Sequence, residues 1–600
     1  MDRKSITAIV LCVSLLLFWA LVIVPKIRPS APWPPVVTNA VATTPSTTAP
    51  ATSNADAPAM TPPIMSAVTA PPPAFPTNAP EQTVVVTNDN ARYTFTSLGG
   101  GLKLVELVRY PETVSKRGRK QPLTNDLATL NTRAFVPVLA GLGSASVEGD
   151  GLFTLTQTAT GVRAEKALTN GLRLVKEFQL STNYLINATV RLENNSGQPV
   201  NVPAQQWAIG TAAPMGPDDK NSLTIGTMWY NGLKTEDISP LWFDNRTLGC
   251  VPGVPRAEYR AGSSNVIWAA MHNQFFALVA MPKQPAMQIV SWPVILPPPE
   301  ATLSATGFTN ASPRGVQTAF VYPAVTLAPR AAVERQIVFF AGPKEYRTLA
   351  RIAERFNNNV DLVMGFGGFF GFFSKALLLG MNWLHDTLMI PYGWAIIAIT
   401  VIMKVLFWPL TQASTRSMKR MQLLQPQMNA LKEKFKDDPV KMNKKLMEFM
   451  KENKVSPLGG CLPMALQMPV FIGFFYMIRS AIELRGAGFL WVADLSKPDT
   501  LFIIPGTFFP FNLLPLFMGA TMLWQSHLTP PSPGMDPTQQ KMMRYMPLMF
   551  LVFLYNYSAG LALYWTVQNL LTILQTKLIR TAADPAKPAS VLTPVQKKRK

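Results

Sequence analysis

Cysteine and histidine are scarce in this chain, and their scarcity excludes several kinds of site. Three cysteines and three histidines occur among 600 residues. Cys12 and Cys461 lie in apolar segments, and Cys250 stands alone, far from both. No disulfide framework and no metal-ligand spacing can be built from residues so isolated. The sequence therefore predicts no metal and no other cofactor.

Several enzyme motifs are absent as well. The chain contains no G-x-x-x-x-G-K-[ST] phosphate-binding loop, no H-E-x-x-H and no G-x-S-x-G, which would indicate nucleotide, zinc or acyl-transfer chemistry. The stretch Ser558-Ala-Gly560 superficially resembles a serine-protease turn, but no histidine lies convincingly in an apolar segment beside it. We therefore predict that the protein is not an enzyme and that nucleotide hydrolysis is not its source of energy.

Acidic residues are outnumbered by basic ones, 34 to 55, which gives a net charge of +21. The lysines and arginines flank apolar runs, and no nucleic-acid-binding motif accompanies them. Basic residues beside apolar spans are typical of the cytoplasmic loops of membrane proteins. The charge therefore indicates membrane topology, and we expect no DNA partner.

The first apolar run, residues 5–24, follows the charged start Asp2-Arg3-Lys4. About 20 residues are enough to span a hydrocarbon core of ~30 Å. A cleaved signal peptide is the alternative, but the run is long for one and no clear small-x-small site closes it. We favour an uncleaved transmembrane anchor at 1–24, followed by a linker at 25–80 that is rich in proline, alanine and threonine.

Residues 81–343 show the alternation that is typical of β-strands. Between 184 and 192 every second residue is apolar, and a turn follows at 194–197. Similar short segments are separated by glycine or by Asn and Asp clusters. No carboxylate pair or histidine cluster stands out among them. The pattern predicts a large antiparallel β-sandwich that serves as a scaffold and docking surface.

Five further apolar spans follow an amphipathic stretch at 369–388, whose charges favour an interfacial helix. The spans are 392–411, 461–482, 501–525, 542–556 and 560–579. Lysines and arginines are concentrated in the loop 412–455 and in the tail 581–600, which places both in the cytoplasm. The sequence therefore predicts a polytopic protein of six transmembrane helices with both termini cytoplasmic, and it places the β-domain on the opposite side of the membrane.

Polar side chains at membrane depth are the candidate site. Lys404 lies well inside the second span, where a cation costs ~2.5–3.5 kcal/mol by insertion scales. Thr400 lies one helical turn earlier on the same face. The other polar groups at this depth are Gln467, Gln568 and Asn569. Each alone is more often a helix–helix hydrogen bond, and Lys404 is close enough to the interface to snorkel. Together they suggest a hydrated concavity that opens toward the cytoplasm.

Two segments carry a resemblance to a known family. One is 399–410 (ITVIMKVLFWPL) and the other is 456–469 (SPLGGCLPMALQMP), with the basic amphipathic loop between them. Segments 274–276 (QFF) and 342–346 (GPKEY) add to it. The chain resembles the YidC membrane-protein insertases of Gram-negative bacteria over nearly its whole length. The resemblance implies an inner-membrane protein of six transmembrane helices with a periplasmic β-supersandwich domain.

The resemblance also implies roles for individual residues. Lys404 matches the single basic residue of a hydrophilic groove, where the family usually has arginine, and Trp565 stands where tyrosine is common. Together with the polar residues above, we predict a substrate groove formed by Lys404, Thr400, Gln467, Trp565 and Gln568. The resemblance adds Phe471 and Phe553 as a hydrophobic slide for the substrate.

The loop 412–455 has the pattern of a helical hairpin. Apolar residues at steps of three or four, among them Met418, Met421 and Met428, mark one helix. Asp438-Pro439 supplies an N-cap and a first-turn proline for a second helix. Methionines at this spacing usually pack in the core between two helices. The alternative, which is more specific, is that they form a flexible surface that binds apolar partners. The lysines are topology signals or contacts for anionic lipid or ribosomal RNA.

The leading hypothesis is an insertase and chaperone for nascent inner-membrane proteins. The substrate enters a hydrophilic groove open to cytoplasm and lipid, and the protein works alone or beside the Sec translocon. The expected partners are nascent membrane proteins, the lipid bilayer, the Sec translocon, the ribosome and the signal-recognition receptor. A polytopic transporter and an intramembrane enzyme are the alternatives.

Overall fold

A computed structural model describes residues 80–112, 127–131, 136–142, 145–215, 224–245, 253–296, 314–453, 462–505, 509–528, 545 and 548–581. The predicted anchor at 1–24 lies outside these residues, as do the linker up to residue 79 and the basic tail from residue 582. Residues 407–460 belong to a compact unit that is separate from the other described parts of the chain. It is described by itself below.

Antiparallel strands build the region predicted to be a β-sandwich. They are β1 (Thr83–Thr87), β2 (Ala91–Thr96), β3 (Gly101–Pro111), β4 (Leu127–Leu130), β5 (Thr154–Gln157), β6 (Gly161–Ala167), β7 (Leu172–Leu180), β8 (Leu185–Asn194), β9 (Val200–Val202), β10 (Gln205–Ala212), β11 (Gly226–Tyr230), β12 (Thr235–Ile238), β13 (Tyr259–Ala261), β14 (Trp268–His272), β15 (Phe276–Pro282), β16 (Gln288–Ile295), β17 (Arg314–Tyr322), β18 (Val325–Leu327) and β19 (Ala332–Pro343). Two short helices, α1 (Ala145–Glu148) and α2 (Pro240–Asp244), lie between strands. In β8 the apolar residues at alternate positions are buried, as the sequence predicted.

Two of the sheets face each other across a shared core. In the described residues, one has nine strands in the order β12-β11-β14-β15-β19-β8-β7-β6-β5, and the other has four in the order β10-β17-β16-β13. The hydroxyls of Thr227 on β11 and Thr318 on β17 lie 2.7 Å apart, both buried. A further sheet has the order β1-β2-β3-β4, and β18 pairs with β9. The prediction that this region consists mostly of antiparallel sheet is confirmed.

A buried cation on β7 is unusual in this core. The Lys176 ammonium donates a hydrogen bond to the Gly99 carbonyl at 2.7 Å and forms an ion pair with Glu148. It also lies 4.3 Å from the centre of the Phe153 ring. Burial lowers the pKa of Lys176, although Glu148 opposes the shift. These contacts compensate for the desolvation of a charge, which is costly when it is unpaired.

Helices dominate the chain after β19. They are α3 (Tyr346–Phe356), α4 (Gly368–Leu388), α5 (Tyr392–Leu406), α6 (Trp408–Leu423), α7 (Gln425–Lys434), α8 (Pro439–Glu452), α9 (Leu462–Ser480), α10 (Leu513–Leu528) and α11 (Ala559–Thr581). Residues 548–554 are also helical. No described helix alone has the length and hydropathy to cross a membrane, whereas α4 and α5 together do, with a bend of 119° between them. Pro391 lies in this break, and Met389 before it has a φ of 53° that ends α4.

Prolines explain two differences from the predicted spans. The prediction of a span from 501 to 525 is wrong at its start, because β20 (Thr500–Ile503) pairs with β21 (Pro510–Asn512) before α10 begins at Leu513. Pro505 and Pro510 lack the N–H that a helix requires there. The predicted span 392–411 is also divided, since α5 ends at Leu406. Pro409 lacks the N–H that would bond to the Val405 carbonyl in one continuous helix.

Two arginines connect different parts of the chain. The Arg485 guanidinium donates to the carbonyls of Pro111 at 2.6 Å and Glu112 at 2.9 Å, and it lies 5.5 Å from the centre of the Phe276 ring. Arg347 on α3 forms a 2.7 Å ion pair with Asp386 on α4. Arg485, in the loop after α9, therefore connects the end of β3 to a later part of the chain, and Arg347 connects α3 to α4.

Three titratable groups form a chain, with Asp237 on β12, His272 at the end of β14 and Lys344 just after β19. His272 Nε2 lies 3.0 Å from Asp237 Oδ1, and His272 Nδ1 lies 3.1 Å from Lys344 Nζ. The Lys344 side chain is buried, and burial lowers its pKa to about 7 even though the Asp237 charge opposes this. The charge of Arg479 on α9 lowers that pKa further. Sequence analysis found no histidine cluster here because the three residues come from distant strands.

Candidate functional site

Lys404 points into the protein. Its side chain is 7% exposed, and its ammonium donates a 2.8 Å hydrogen bond to the Thr572 hydroxyl on α11. The Thr572 hydroxyl in turn donates to the Gln568 carbonyl at 2.7 Å. Thr572 therefore presents an oxygen lone pair to the cation while its own proton is used within α11. An inward orientation is expected, because an unpaired cation facing lipid is costly.

The two helices that carry this contact run in the same direction. Lys404 lies 12 residues after the first residue of α5, and Thr572 lies 13 residues after the first residue of α11. At ~1.5 Å per residue, both positions are about 18–20 Å from the start of their helices. At the start of the two helices, Gly560 of α11 likewise lies beside the Ile396 side chain of α5, so α5 and α11 run side by side in the same direction.

Thr400 shares the inward face of α5. It is fully buried, and its hydroxyl donates to the Ile396 carbonyl at 2.6 Å. A threonine bonded to its own helix leaves an oxygen lone pair available to a neighbouring donor. Thr400 therefore adds polarity beside Lys404 without adding charge.

A line of polar residues runs along α11. Gln568, Thr572 and Thr576 recur every four residues, and the Thr576 hydroxyl donates to the Thr572 carbonyl at 2.8 Å. Asn569 faces α10, because its amide donates to the Thr521 hydroxyl at 3.2 Å. Gln568 and Asn569 thus face different neighbours. Asn569 makes the ordinary helix–helix hydrogen bond, whereas Gln568 belongs to the line that reaches Lys404.

Aromatic rings lie along the contact between α9 and α11. The centres of the Phe471 and Trp565 rings are 4.4 Å apart in an edge-to-face arrangement, and Phe550 lies 5.8 Å from Trp565. Nearby, Phe474 stacks on Tyr564 at 4.0 Å. Offset and edge-to-face pairs of this kind contribute ~0.5–1.5 kcal/mol beyond their buried area. Trp565 therefore joins three helical segments.

The two residues predicted as a slide have different surroundings. Phe471 is half-buried against Trp565, whereas the Phe553 side chain is 69% exposed. Among the described residues no ring contact joins them. Gln467, one turn before Phe471, is half-buried and lies beside the Tyr564 hydroxyl. The structure thus brings Trp565 and Phe471 together, and Phe553 faces outward.

The unit that contains residues 407–460 includes a helical hairpin. Met421, Met428 and Met450 are buried together, and the residues packed against them are Leu424, Leu446 and Phe449. Asp438 caps α8 by accepting a hydrogen bond from the Lys441 N–H at 3.0 Å, with Pro439 in the first turn. Met418 lies in α6. Met421, Met428 and Met450 therefore pack against one another within this unit.

The described residues contain no cluster of three or more histidine, cysteine or acidic side chains that could hold a metal ion. The arrangement around Lys404 instead offers one cation, hydroxyls and amides between helices. Such groups bind and orient polar parts of another molecule by electrostatics and hydrogen bonds.

Comparison with known proteins gives two family matches. Residues 83–379 match the family described as the YidC periplasmic domain, and residues 383–586 match the family described as the 60Kd inner membrane protein. The membrane protein insertase YidC of Neisseria gonorrhoeae is 30% identical over 511 residues, which cover 83% of this chain and 87% of that protein. The corresponding protein of Citrifermentans bemidjiense is 32% identical, covering 83% of this chain and 85% of its own length.

The chain belongs to the YidC family of membrane protein insertases. It is therefore an inner-membrane protein with a periplasmic domain composed mostly of β-sheet, as the sequence predicted. A solved structure described as an active YidC insertase covers 85% of this chain, with 17% identity and a TM-score of 0.33.

Thr572 is the residue beside Lys404 that sequence analysis missed. Its hydroxyl is the acceptor for Lys404. The four-residue spacing of Gln568, Thr572 and Thr576 was the available signal, because it places three polar groups on one face of a predicted transmembrane helix. Only the structure shows that this face meets Lys404.

Proposed function

We propose that the helices around Lys404 form the groove through which this protein inserts nascent membrane proteins. The hydrogen bond between Lys404 and Thr572 is the observation that carries the proposal, because it supports an inward-facing cation among hydroxyls and amides. The groove residues are Lys404, Thr400, Gln467, Trp565 and Gln568. Thr572 joins them as the acceptor that orients the cation.

The cation offsets the desolvation of acidic groups in the substrate. A carboxylate that leaves water for a low-dielectric site loses hydration, and a nearby ammonium compensates for part of this loss. Two sources of free energy then drive insertion without nucleotide hydrolysis. One is burial of the substrate's apolar span in lipid. The other is the membrane potential, which favours export of a negative charge by ~2.3 kcal/mol per 100 mV.

The aromatic contact between α9 and α11 forms an apolar wall beside this polar site. Phe471 and Trp565 close the interior side, and the outward-facing Phe553 offers a surface on which an apolar span slides toward lipid. A substrate then meets polar groups with its hydrophilic segment and aromatic groups with its apolar segment. The protein makes and breaks no covalent bond in this proposal.

Six transmembrane helices with cytoplasmic termini are the proposed topology. The same direction of α5 and α11 supports it, since both then run from the periplasm to the cytoplasm. The domains follow as an anchor at 1–24, a linker at 25–80, a periplasmic domain at 81–343, an interfacial helix at 369–388, an insertase core at 392–580 and a basic tail at 581–600. The periplasmic domain acts as a scaffold.

The hairpin at 412–455 is proposed as a cytoplasmic element. Its helices pack mainly against each other, and contact with substrates is its secondary role. The buried methionines support this order. Its lysines lie in the compartment of the ribosome and the signal-recognition receptor, which are the proposed partners together with anionic lipid. The Sec translocon is proposed as an additional partner for some substrates.

Reconstitution tests the proposed function. The purified protein in proteoliposomes should insert a small two-span substrate with an acidic periplasmic tail, as shown by protection of that tail from external protease. Solute uptake without insertion would indicate a transporter, and cleavage of the substrate would indicate an intramembrane enzyme. Proteoliposomes without protein, and proteoliposomes with the Trp565→Ala variant, serve as controls for spontaneous insertion and for groove integrity.

A further inference from the structure

An apolar cavity lies apart from the Lys404 site. Its volume is about 340 Å³, and its walls come from the loop 489–492, from the first half of α10 and from α11. The lining residues that matter below are Trp491, Phe517, Thr521, Thr566, Val567 and Leu570. The cavity has an opening to the surface of the protein, because Leu570 is substantially exposed.

The cavity is suited to a purely apolar occupant. Its two lining threonines have their hydroxyls bonded within their own helices, Thr521 to the Met518 carbonyl at 2.8 Å and Thr566 to the Ala562 carbonyl at 2.7 Å. The Trp491 indole N–H donates to Asp499 at 3.1 Å. No lining side chain therefore needs a polar partner from an occupant. Water is a poor occupant, because it requires two to four polar partners.

The volume fits a chain better than a helix. An α-helix with side chains is ~10 Å across and rises ~5.4 Å per turn, so one turn fills about 400 Å³. The cavity of about 340 Å³ is smaller than that. It is larger than an apolar cavity of ~150 Å³ that holds benzene. A flexible hydrocarbon chain meets both limits, whereas a transmembrane helix of a substrate does not.

The backbone of Lys497 lies about one helical turn from a residue that lines the cavity. Lys497 is exposed, and among the described residues its ammonium has no ion-pair partner. Its carbonyl accepts a hydrogen bond from the Ala559 N–H at 2.8 Å, which places it at the first turn of α11. Leu563, one turn further along α11, lines the cavity. The lysine side chain is long enough to bridge a distance of one turn, ~5.4 Å.

We propose that this cavity binds one acyl chain of a phospholipid whose phosphate contacts Lys497. The apolar walls hold the chain, and the ammonium attracts the negative phosphate. Lipid held in this way fills space between α10, α11 and the loop before them. The site is distinct from the groove, because none of its lining residues belongs to the groove residues.

Photolabelling of the full-length protein in lipid nanodiscs tests the proposal. The probe is a phosphatidylglycerol with a diazirine in one acyl chain, and adducts are mapped by peptide mass spectrometry. We expect adducts on Trp491, Phe517 and Val567. The variant Val567→Trp fills the cavity and should reduce the adducts on Trp491 and Phe517 about tenfold. Leu574→Trp is the matched control, because it lies two turns along the same face of α11, is 53% exposed and does not line the cavity.

The lysine is tested separately. Lys497→Gln should lower the adducts about fivefold, since one lysine near an anionic lipid contributes ~1 kcal/mol, and Lys497→Arg should restore them. If Val567→Trp does not fold, Leu570→Trp at the opening gives the same test. Equal labelling of the wild type and the cavity variants would overturn the proposal, as would labelling that is no greater at the cavity than at Leu574. Efficient crosslinking of a substrate span at Trp491 would also overturn it.

Discussion

The ammonium of Lys404 lies 2.8 Å from the hydroxyl oxygen of Thr572, a residue 168 positions later in the chain. This bond holds the cation at the contact between α5 and α11. A lysine donates from a single nitrogen, whereas the arginine that is usual in the YidC family has a planar fork of donors. One well-placed acceptor is therefore enough to orient the cation in this protein.

Removal of that acceptor should weaken insertion without removing charge. Thr572→Val keeps the side-chain shape but leaves the Lys404 ammonium without its oxygen, and a lost bond to a charged group costs ~1.5–3 kcal/mol. We expect a roughly 10–100-fold lower insertion rate for substrates with acidic tails. Thr576→Val, one turn along, is the control and should behave as wild type. Equal effects of both substitutions in the proteoliposome assay would contradict a specific role for Thr572.

Lys344 should make the stability of the β-domain depend on pH. Its pKa is about 7 in the folded protein and 10.5 ordinarily. Between these values the unfolded chain binds a proton that the folded chain does not, so stability rises with pH by up to ~1.4 kcal/mol per unit. Below pH 7 Lys344 is protonated in both the folded and the unfolded chain, so it no longer makes the stability depend on pH.

Hydrogen exchange measures this dependence. In the full-length protein in detergent, the protection of β14 and β19 should increase from pH 7 to pH 9 after correction for the intrinsic exchange rate. Lys344→Met should remove that increase. The neighbouring charged or titratable groups are Asp237, His272 and Arg479, and all three are retained in the Lys344→Met variant. An unchanged slope in Lys344→Met would assign the effect to another group.

The hairpin should form internal crosslinks before it contacts substrate. A photoreactive group at Met428, which is buried against Met421 and Met450, should react mainly with the α8 helix. Pulse crosslinking during synthesis should give weaker and transient products with nascent chains. A group at the exposed Leu423 serves as the control for surface reactivity. Dominant substrate products at Met428 would mean that the methionines form an open binding surface.

Insertion activity should not require the β-domain, provided that the loss of its contacts with Arg485 is compensated. Deletion of 90–330 removes Pro111, Glu112 and Phe276, which are partners of Arg485. A partly buried arginine without partners destabilises the protein. We therefore expect the deletion combined with Arg485→Gln to be more stable than the deletion alone, and to keep appreciable insertion activity. A stable, correctly oriented double variant without activity would refute the scaffold role.

Local patterns predicted much of this fold. The alternation in β8, the N-cap at Asp438 and the interfacial stretch that became α4 all depend on neighbouring residues. The pairing of β20 with β21 was missed because hydropathy alone does not register the missing N–H groups of prolines. The acceptor for Lys404 was missed for another reason. Packing between helices that are distant in sequence decides which face of α11 contacts α5. The sequence around Thr572 does not specify that packing, so it does not identify Thr572 as the acceptor.

The charge at position 404 is the most direct test of the account. Wild type, Lys404→Arg and Lys404→Ala are compared in proteoliposomes with two substrates that differ only in whether the translocated tail carries acidic or neutral residues. The account predicts that Lys404→Arg inserts both substrates, and that Lys404→Ala loses insertion of the acidic substrate while it keeps that of the neutral one. Equal insertion of both substrates by Lys404→Ala, at wild-type rates, would contradict the proposed role of the groove.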